Sequence, residues 1–222
     1  IVPAYTYSAT ALAVLHAGAK PVMVDSGTDF NISVDAIRNA ITSKTKAIVV
    51  VHLYGFIIPD IQQIADFANK NNILLIEDVA QAMGTSIDGK KAGTFGDFGI
   101  FSFHSHKNIT TLGEGGMLTV KEKKYADIIP MLRHNGHCGF DYERKHYWQP
   151  AMGNLDLPSL DGENLLPNNY CLGEVECALG AKLLDRIDEM NAQKRERAVK
   201  FIEALKEFDD LVFHKVDDDR LR

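Results

Sequence analysis

Short apolar runs alternate along the chain with stretches in which apolar residues recur every three or four positions. IVPAY opens the sequence as a short strand or strand exit. SATALAVLHAG follows as a helix, with Ser8 as N-cap and Gly18 as its stop. PVMVD (21–25) reads as a buried strand, and SVDAIRNAI as a helix capped by Ser33. KAIVVVHLYG (46–55) is a β-branched strand ending in glycine. DIQQIADFANKNN (60–72) is an amphipathic helix capped by Asp60, and ILLIED (73–78) is a buried strand ending in acid.

Strands that are apolar throughout and separated by helices predict an α/β fold with a mostly parallel sheet flanked by helices. In such sheets ligands sit at the carboxyl ends of the strands. That rule singles out His52, Asp78 and Gln81. Beyond Gln81 the pattern changes to short strands joined by glycine turns, through FGIFSF and GGMLTV (115–120). KEKKYADIIPMLRHNG predicts a helix that Pro130 kinks or demotes. Residues 136–168 lack periodicity and read as a long loop, the kind that carries function. The stretch from Asn169 to Phe208 reads as two helices or one bent helix. The expected organisation is a main domain over 1–135, a loop over 136–167, and a helical connection over 168–222 towards a further domain.

Composition changes little in this picture. At 222 residues and 45% hydrophobic, the chain can bury a substantial core. A net charge of −6 with no basic stripe weighs against nucleic-acid binding. KEKK (121–124) and QKRER (193–197) read as solvated helix faces. Three cysteines without framework spacing fit a reducing, cytoplasmic compartment, and no apolar run is long enough to span a bilayer. A first residue that is isoleucine, and an end at FHKVDDDRLR, suggest a fragment of a longer protein.

The candidate chemistry lies in FSFHSHKNITTLGEGG (101–116). Lys107 alone would be an ordinary surface lysine. Asp78 at a strand end, Gln81 three residues on, and Ser102 with the glycines nearby make it more. Together these are the groups that pyridoxal phosphate (PLP) needs. The set comprises an amine for its aldehyde, a carboxylate facing the ring nitrogen, a side chain for the ring hydroxyl, and small donors for the phosphate.

IEDVAQAMG (76–84), GDFGIFSFHSHKN (96–108) and GEGGML (113–118) resemble the sugar aminotransferases of the DegT/DnrJ/EryC1/StrS family, which are PLP enzymes of fold type I. VPAYTYSATALAVLHAGAKPVMVD (2–25), HLYG (52–55) and NNYCLGEVECALGAKLLDRI (168–187) match in the same order. The resemblance implies that Lys107 binds the cofactor aldehyde, Asp78 pairs with the pyridine nitrogen, Gln81 meets the ring hydroxyl and Ser102 the phosphate. It implies that Tyr7 stacks on the ring and that Asn169 reaches the phosphate of a neighbouring subunit in a homodimer. It also implies an amino acid donor, glutamate by analogy, and a nucleotide-linked keto sugar as acceptor.

The sequence departs from the family at Cys171, where an arginine is usual, and at GFIIPD after HLYG. A phosphate-binding loop upstream of IVPAY and a C-terminal domain are also missing, which leaves open whether this chain binds the cofactor by itself. Three other readings stand beside this one. A sugar dehydratase of the same fold would carry histidine in place of the lysine, and His106 is one position away. A metal hydrolase could draw on His52, His104, His106, His134, His137 and Cys138, but neither HExxH nor paired CxxC motifs are present. A non-catalytic sensor or scaffold could use Trp148 with Phe140, Tyr142 and Tyr147. His104 and His106 receive no assigned role.

Overall fold

The structure, a computed structural model, describes residues 1–136 and 157–213. In chain order its elements are β1 (Val2–Pro3), α1 (Ala9–His16), β2 (Met23–Val24), α2 (Val34–Ala40), β3 (Ala47–Val51), α3 (Ile61–Lys70) and β4 (Leu74–Asp78). There follow β5 (Ser86–Ile87), β6 (Lys90–Lys91), β7 (Phe98–Ser102), β8 (Gly116–Val120) and α4 (Lys123–Arg133). The last are β9 (Ser159–Leu160), β10 (Glu163–Asn164), α5 (Glu174–Leu184) and α6 (Ile187–Leu205). They fall into two compact units, one formed by Ile1–Thr119 with the described residues from Val175 on, the other by Val120–Glu174.

The first unit is built on a four-stranded sheet in the order β3-β4-β7-β8. β3, β4 and β7 are parallel, with Val51 opposite Asp78 and Asp78 opposite Ile100. β8 runs back along β7: Phe103 N–H donates to Gly115 O, while Thr119 Oγ1 donates to Gly99 O. The sheet is thus mostly parallel with one reversed strand, in an α/β setting.

Side chains alternate across a strand, and the burial follows. Ile48 and Val50 of β3 and Leu75 of β4 lie on one face and are fully buried. They pack with Ile61, Ile64 and Ala68 of α3 and with Val34 and Ile37 of α2. The spacing 61, 64, 68 is one helical stripe, as the sequence predicts. The cap of α2 is also as expected, since Ser33 Oγ accepts from Ala36 N–H at 3.1 Å. Asp60 begins α3 without capping it, its carboxylate taking Gln63 Nε2 instead.

Other local details are as follows. PVMVD keeps only Met23–Val24 as strand, paired with β1, with Val24 buried and Met23 exposed. Ser8 precedes α1 without a side-chain cap. Pro130 sits inside α4 without ending it. Its missing N–H costs the helix one bond, and its ring crowds the preceding turn. Residues 159–164, within the stretch read as aperiodic, form an antiparallel hairpin. Its turn residues Asp161 and Gly162 both have positive φ, the Asp-Gly turn whose twist suits a two-residue hairpin. In the same unit, residues 168–170 run back along the end of α4, Tyr170 N–H donating to Arg133 O.

Glu77 organises the core side of the sheet. It is wholly buried in β4, and four donors converge on its carboxylate. Phe95 N–H and Gly96 N–H reach Oε1 at 2.7 Å each, and Gly93 N–H reaches Oε2 at 2.8 Å. His52 Nε2 completes the set at 3.0 Å. His52 Nδ1 accepts from Ile58 N–H, so the ring proton belongs on Nε2, which donates to Glu77. The 93–96 turn can lie this close because its glycines have no Cβ. A Cβ on Gly96 would stand 2.6 Å from Leu75 O.

Burial pushes the Glu77 pKa up, but the hydrogen bonds from His52, Gly96 and Gly93 outweigh it and hold the carboxyl below its ordinary 4.5. A depressed folded-state pKa adds stability above the unfolded value, and that stability is lost as pH falls through the folded one. Glu77→Ala is therefore expected to cost about 3–5 kcal/mol in urea unfolding at neutral pH, because four buried donors lose their partner. Glu77→Gln should lack the loss of stability that the wild type shows as pH drops below 4.5.

Candidate active site

Parallel strands deliver their ends to one edge of the sheet, and β4 and β7 bring Asp78 and Ser102 there. Asp78 is on the opposite face of β4 from Glu77. Its Oδ1 accepts from Ala80 N–H at 3.0 Å, and its Oδ2 from Thr10 Oγ1 at 3.3 Å. Thr10 is buried in the first turn of α1, and its N–H donates to Tyr7 O at 3.1 Å. Tyr7 and Asp78, 71 positions apart by number, are therefore joined through one residue. Tyr7 is 74% exposed.

Gln81 is held from one end. Its Oε1 accepts from Tyr54 N–H at 2.6 Å, which leaves its NH₂ group as the outward-facing donor. Tyr54 has φ +57°, a left-handed conformation rare for an aromatic residue, and Gly55 beside it has φ +88°. The Tyr54 phenol bonds that of Tyr5 at 2.9 Å, which raises its pKa. Phe30 packs against both rings, with centroids at 5.2 and 6.2 Å.

Lys107 lies on a loop tied down at several points. Ser105 N–H donates to Gly113 O, Lys107 N–H to His104 O, and Thr111 Oγ1 to Glu114 O. Lys107 lines a cavity of about 280 Å³ with Tyr54, Ala80, Gln81, His106 and Asn108. Asn108 is fixed from behind by Lys194 of α6, whose Nζ donates to its Oδ1 at 2.6 Å. Ser102 Oγ accepts from His104 N–H at 3.3 Å and keeps its own proton to donate.

The structure thus brings Lys107 and Gln81 into one cavity and joins Asp78 to Tyr7. Ser102 ends the strand beside Asp78. Asn169 lies in the second unit, bridged to His134, its Oδ1 accepting from Cys171 N–H. His52, singled out by its place at a strand end, belongs to the Glu77 network in the core. His104 turns into its own loop: Nδ1 takes His106 N–H, and Nε2 lies 3.7 Å from Glu114. His106 lines the cavity. Among the described residues, no group of three or more His, Cys, Asp or Glu side chains could hold a metal ion. His137, Cys138, Trp148, Phe140, Tyr142 and Tyr147 lie outside the described residues.

Sequence reasoning missed Thr10, Tyr54 and Asn108. Thr10 had a signal, a small polar residue on the first turn of a helix that follows the aromatic of YTY. Tyr54 had none, since its contribution is a backbone N–H.

The sequence profile of the DegT/DnrJ/EryC1/StrS aminotransferase family matches residues 1–221. The chain belongs to this family. One member similar to it is the GDP-perosamine synthase of Caulobacter vibrioides, 40% identical over 204 residues, which are 91% of this chain and 49% of that enzyme. Among solved structures, an aminotransferase from Psychrobacter cryohalolentis superposes with a TM-score of 0.80 at 31% identity, over 93% of this chain and 51% of that one. Helicobacter pylori PseC, an aminotransferase involved in the biosynthesis of pseudoaminic acid, gives 0.77 at 27% identity, over 96% and 52%. The chain spans about half the length of the relatives it matches.

Proposed function

We propose that this chain is the core of a PLP-dependent aminotransferase that converts a nucleotide-linked keto sugar into an amino sugar. The observation that carries this reading is the shared cavity of Lys107 and Gln81, beside an Asp78 whose carboxylate is fixed at the carboxyl edge of the sheet. The residues fit the group: an amine, an amide donor, an oriented carboxylate, a hydroxyl and an exposed aromatic side chain. The GDP-perosamine synthase and PseC relationships support a sugar as acceptor, and aminotransferase relatives favour transamination over dehydration.

When bound, PLP supplies an aldehyde carbon for amine exchange and a ring that takes up the electrons of a broken C–H bond. The chain's own groups do the rest. Lys107 Nζ anchors the cofactor. With an amino donor in the site, for which glutamate is the family analogue, the Lys107 Nζ would move the proton of the donor's α-carbon. The Asp78 carboxylate holds the proton on the ring nitrogen. The Gln81 NH₂ would donate to the ring hydroxyl, Ser102 Oγ–H would donate to the phosphate, and Tyr7 would stack on the ring. Asn169 is assigned to the phosphate of a second subunit in a homodimer. The exposed free thiols of Cys171 and Cys177 fit a reducing compartment, the cytoplasm.

The full-length protein incubated with PLP is expected to turn yellow, and borohydride should trap the cofactor on Lys107. Lys107→Ala should stay colourless. A wild type that stays colourless, or cofactor trapped on another lysine, would refute the assignment. Asp78→Asn keeps the shape and removes the charge. It should retain the cofactor while slowing bleaching of the yellow band by amino donors about 100-fold or more. Assay against a panel of nucleotide keto sugars identifies the acceptor, and amination of none of them would count against the sugar reading.

A further inference from the structure

Asp78 is useful only if its carboxylate cannot turn, and β4 alone does not prevent that. A side-chain carboxyl group rotates about its last bond over a broad range. Ala80 N–H holds one oxygen from the strand's own continuation. The other oxygen is held from a different element, by the hydroxyl of Thr10 on α1. That hydroxyl has one proton. Because it donates to Asp78, its oxygen faces Thr6 Oγ1 at 3.3 Å as an acceptor, and the chain runs Thr6 to Thr10 to Asp78. Successive hydrogen bonds of this kind strengthen one another. Thr10 also donates its backbone N–H to Tyr7 O, so the residue that steadies the carboxylate fixes the backbone of the exposed aromatic too.

We infer that Thr10 is a positioning residue of the cofactor site, setting the Asp78 carboxylate through its hydroxyl and the Tyr7 backbone through its amide. This rests on the PLP reading given above. Thr10 does not itself touch the cofactor in this scheme. It would hold the Asp78 carboxylate for the ring nitrogen and steady the backbone that carries Tyr7. A threonine serves both tasks because the first turn of a helix leaves its N–H free of intrahelical bonding, and its hydroxyl is then available to a strand end on the neighbouring layer.

Two substitutions separate the hydroxyl from the packing. Thr10→Val keeps the shape and loses the donor, and Thr10→Ser keeps the donor and loses a methyl group. Titration of the apo protein with PLP, followed by the yellow absorbance, should show a dissociation constant raised roughly tenfold in T10V, the size of one lost hydrogen bond to a charged group. T10V should also have a smaller yellow fraction at saturation, and T10S should match the wild type in both. In an Asp78→Ala background, T10V should change neither quantity further, since the two residues act as one unit. Thermal melts of the apo proteins report the fold separately. If T10V binds like wild type while T10S is impaired, Thr10 contributes packing only and the inference is overturned. It is equally overturned if T10V weakens binding by the same factor with and without Asp78. A wild type that binds no PLP refutes both this inference and the functional reading. A wild type that binds through Lys107 alongside an unaltered T10V refutes the inference alone.

Discussion

The first unit depends on a buried negative charge that four donors make tolerable. Leaving a carboxylate in an apolar core would be ruinous without partners. Glu77 has a full set, three from the backbone of one turn and one from His52. The same bonds solve a second problem, because the 93–96 turn crosses the covered face of the sheet and would otherwise bury unpaired N–H groups. His52 in turn takes Ile58 N–H, and its own N–H donates to Asp78 O. One carboxylate thereby ties the ends of β3 and β4 and the approach to β7 into a single network. Asp78 and Gln81 follow directly from the end of β4, and Ser102 and Lys107 from the far end of β7.

Much of this was legible in the sequence, for identifiable reasons. Runs such as AIVVV and LLIED can only be buried strands, and the 61, 64, 68 stripe can only face a core. Asp78 and Gln81 could be picked out because parallel strands carry their last residues to a common edge, and Lys107 because those companions suit it to a cofactor. Residues 159–164 were readable in principle, since Leu160-Asp161-Gly162-Glu163 holds a hairpin signal. It was overlooked because strands of two residues leave no periodicity to detect.

The illegible parts are those in which the backbone does the work or in which residues distant in sequence meet. Glu77 looks like half of an acidic strand end. Nothing in its neighbourhood announces that its partners are amides near position 95. The orientation of Gln81 is set by a peptide N–H, that of Tyr54, which any residue type could supply. His52 shows the opposite error: a histidine at a strand end suggests chemistry, but its two ring nitrogens are both committed within the core.

The two adjacent acids of β4 carry one further implication. Glu77 and Asp78 project to opposite faces, one into a cage of donors and the other to the edge where Lys107 lies. Chemically they differ by one methylene, so composition does not distinguish their duties, and only the strand's phase does. A slip of one residue along β3 would put Asp78 in the place of Glu77, with a side chain too short for its donors, and Val79 in the place of Asp78; the opposite slip would bring Ile76 to the core position. A chain that pairs in the wrong phase forfeits its core charge network together with its site, so a misregistered molecule should fail to fold before it could fail to function.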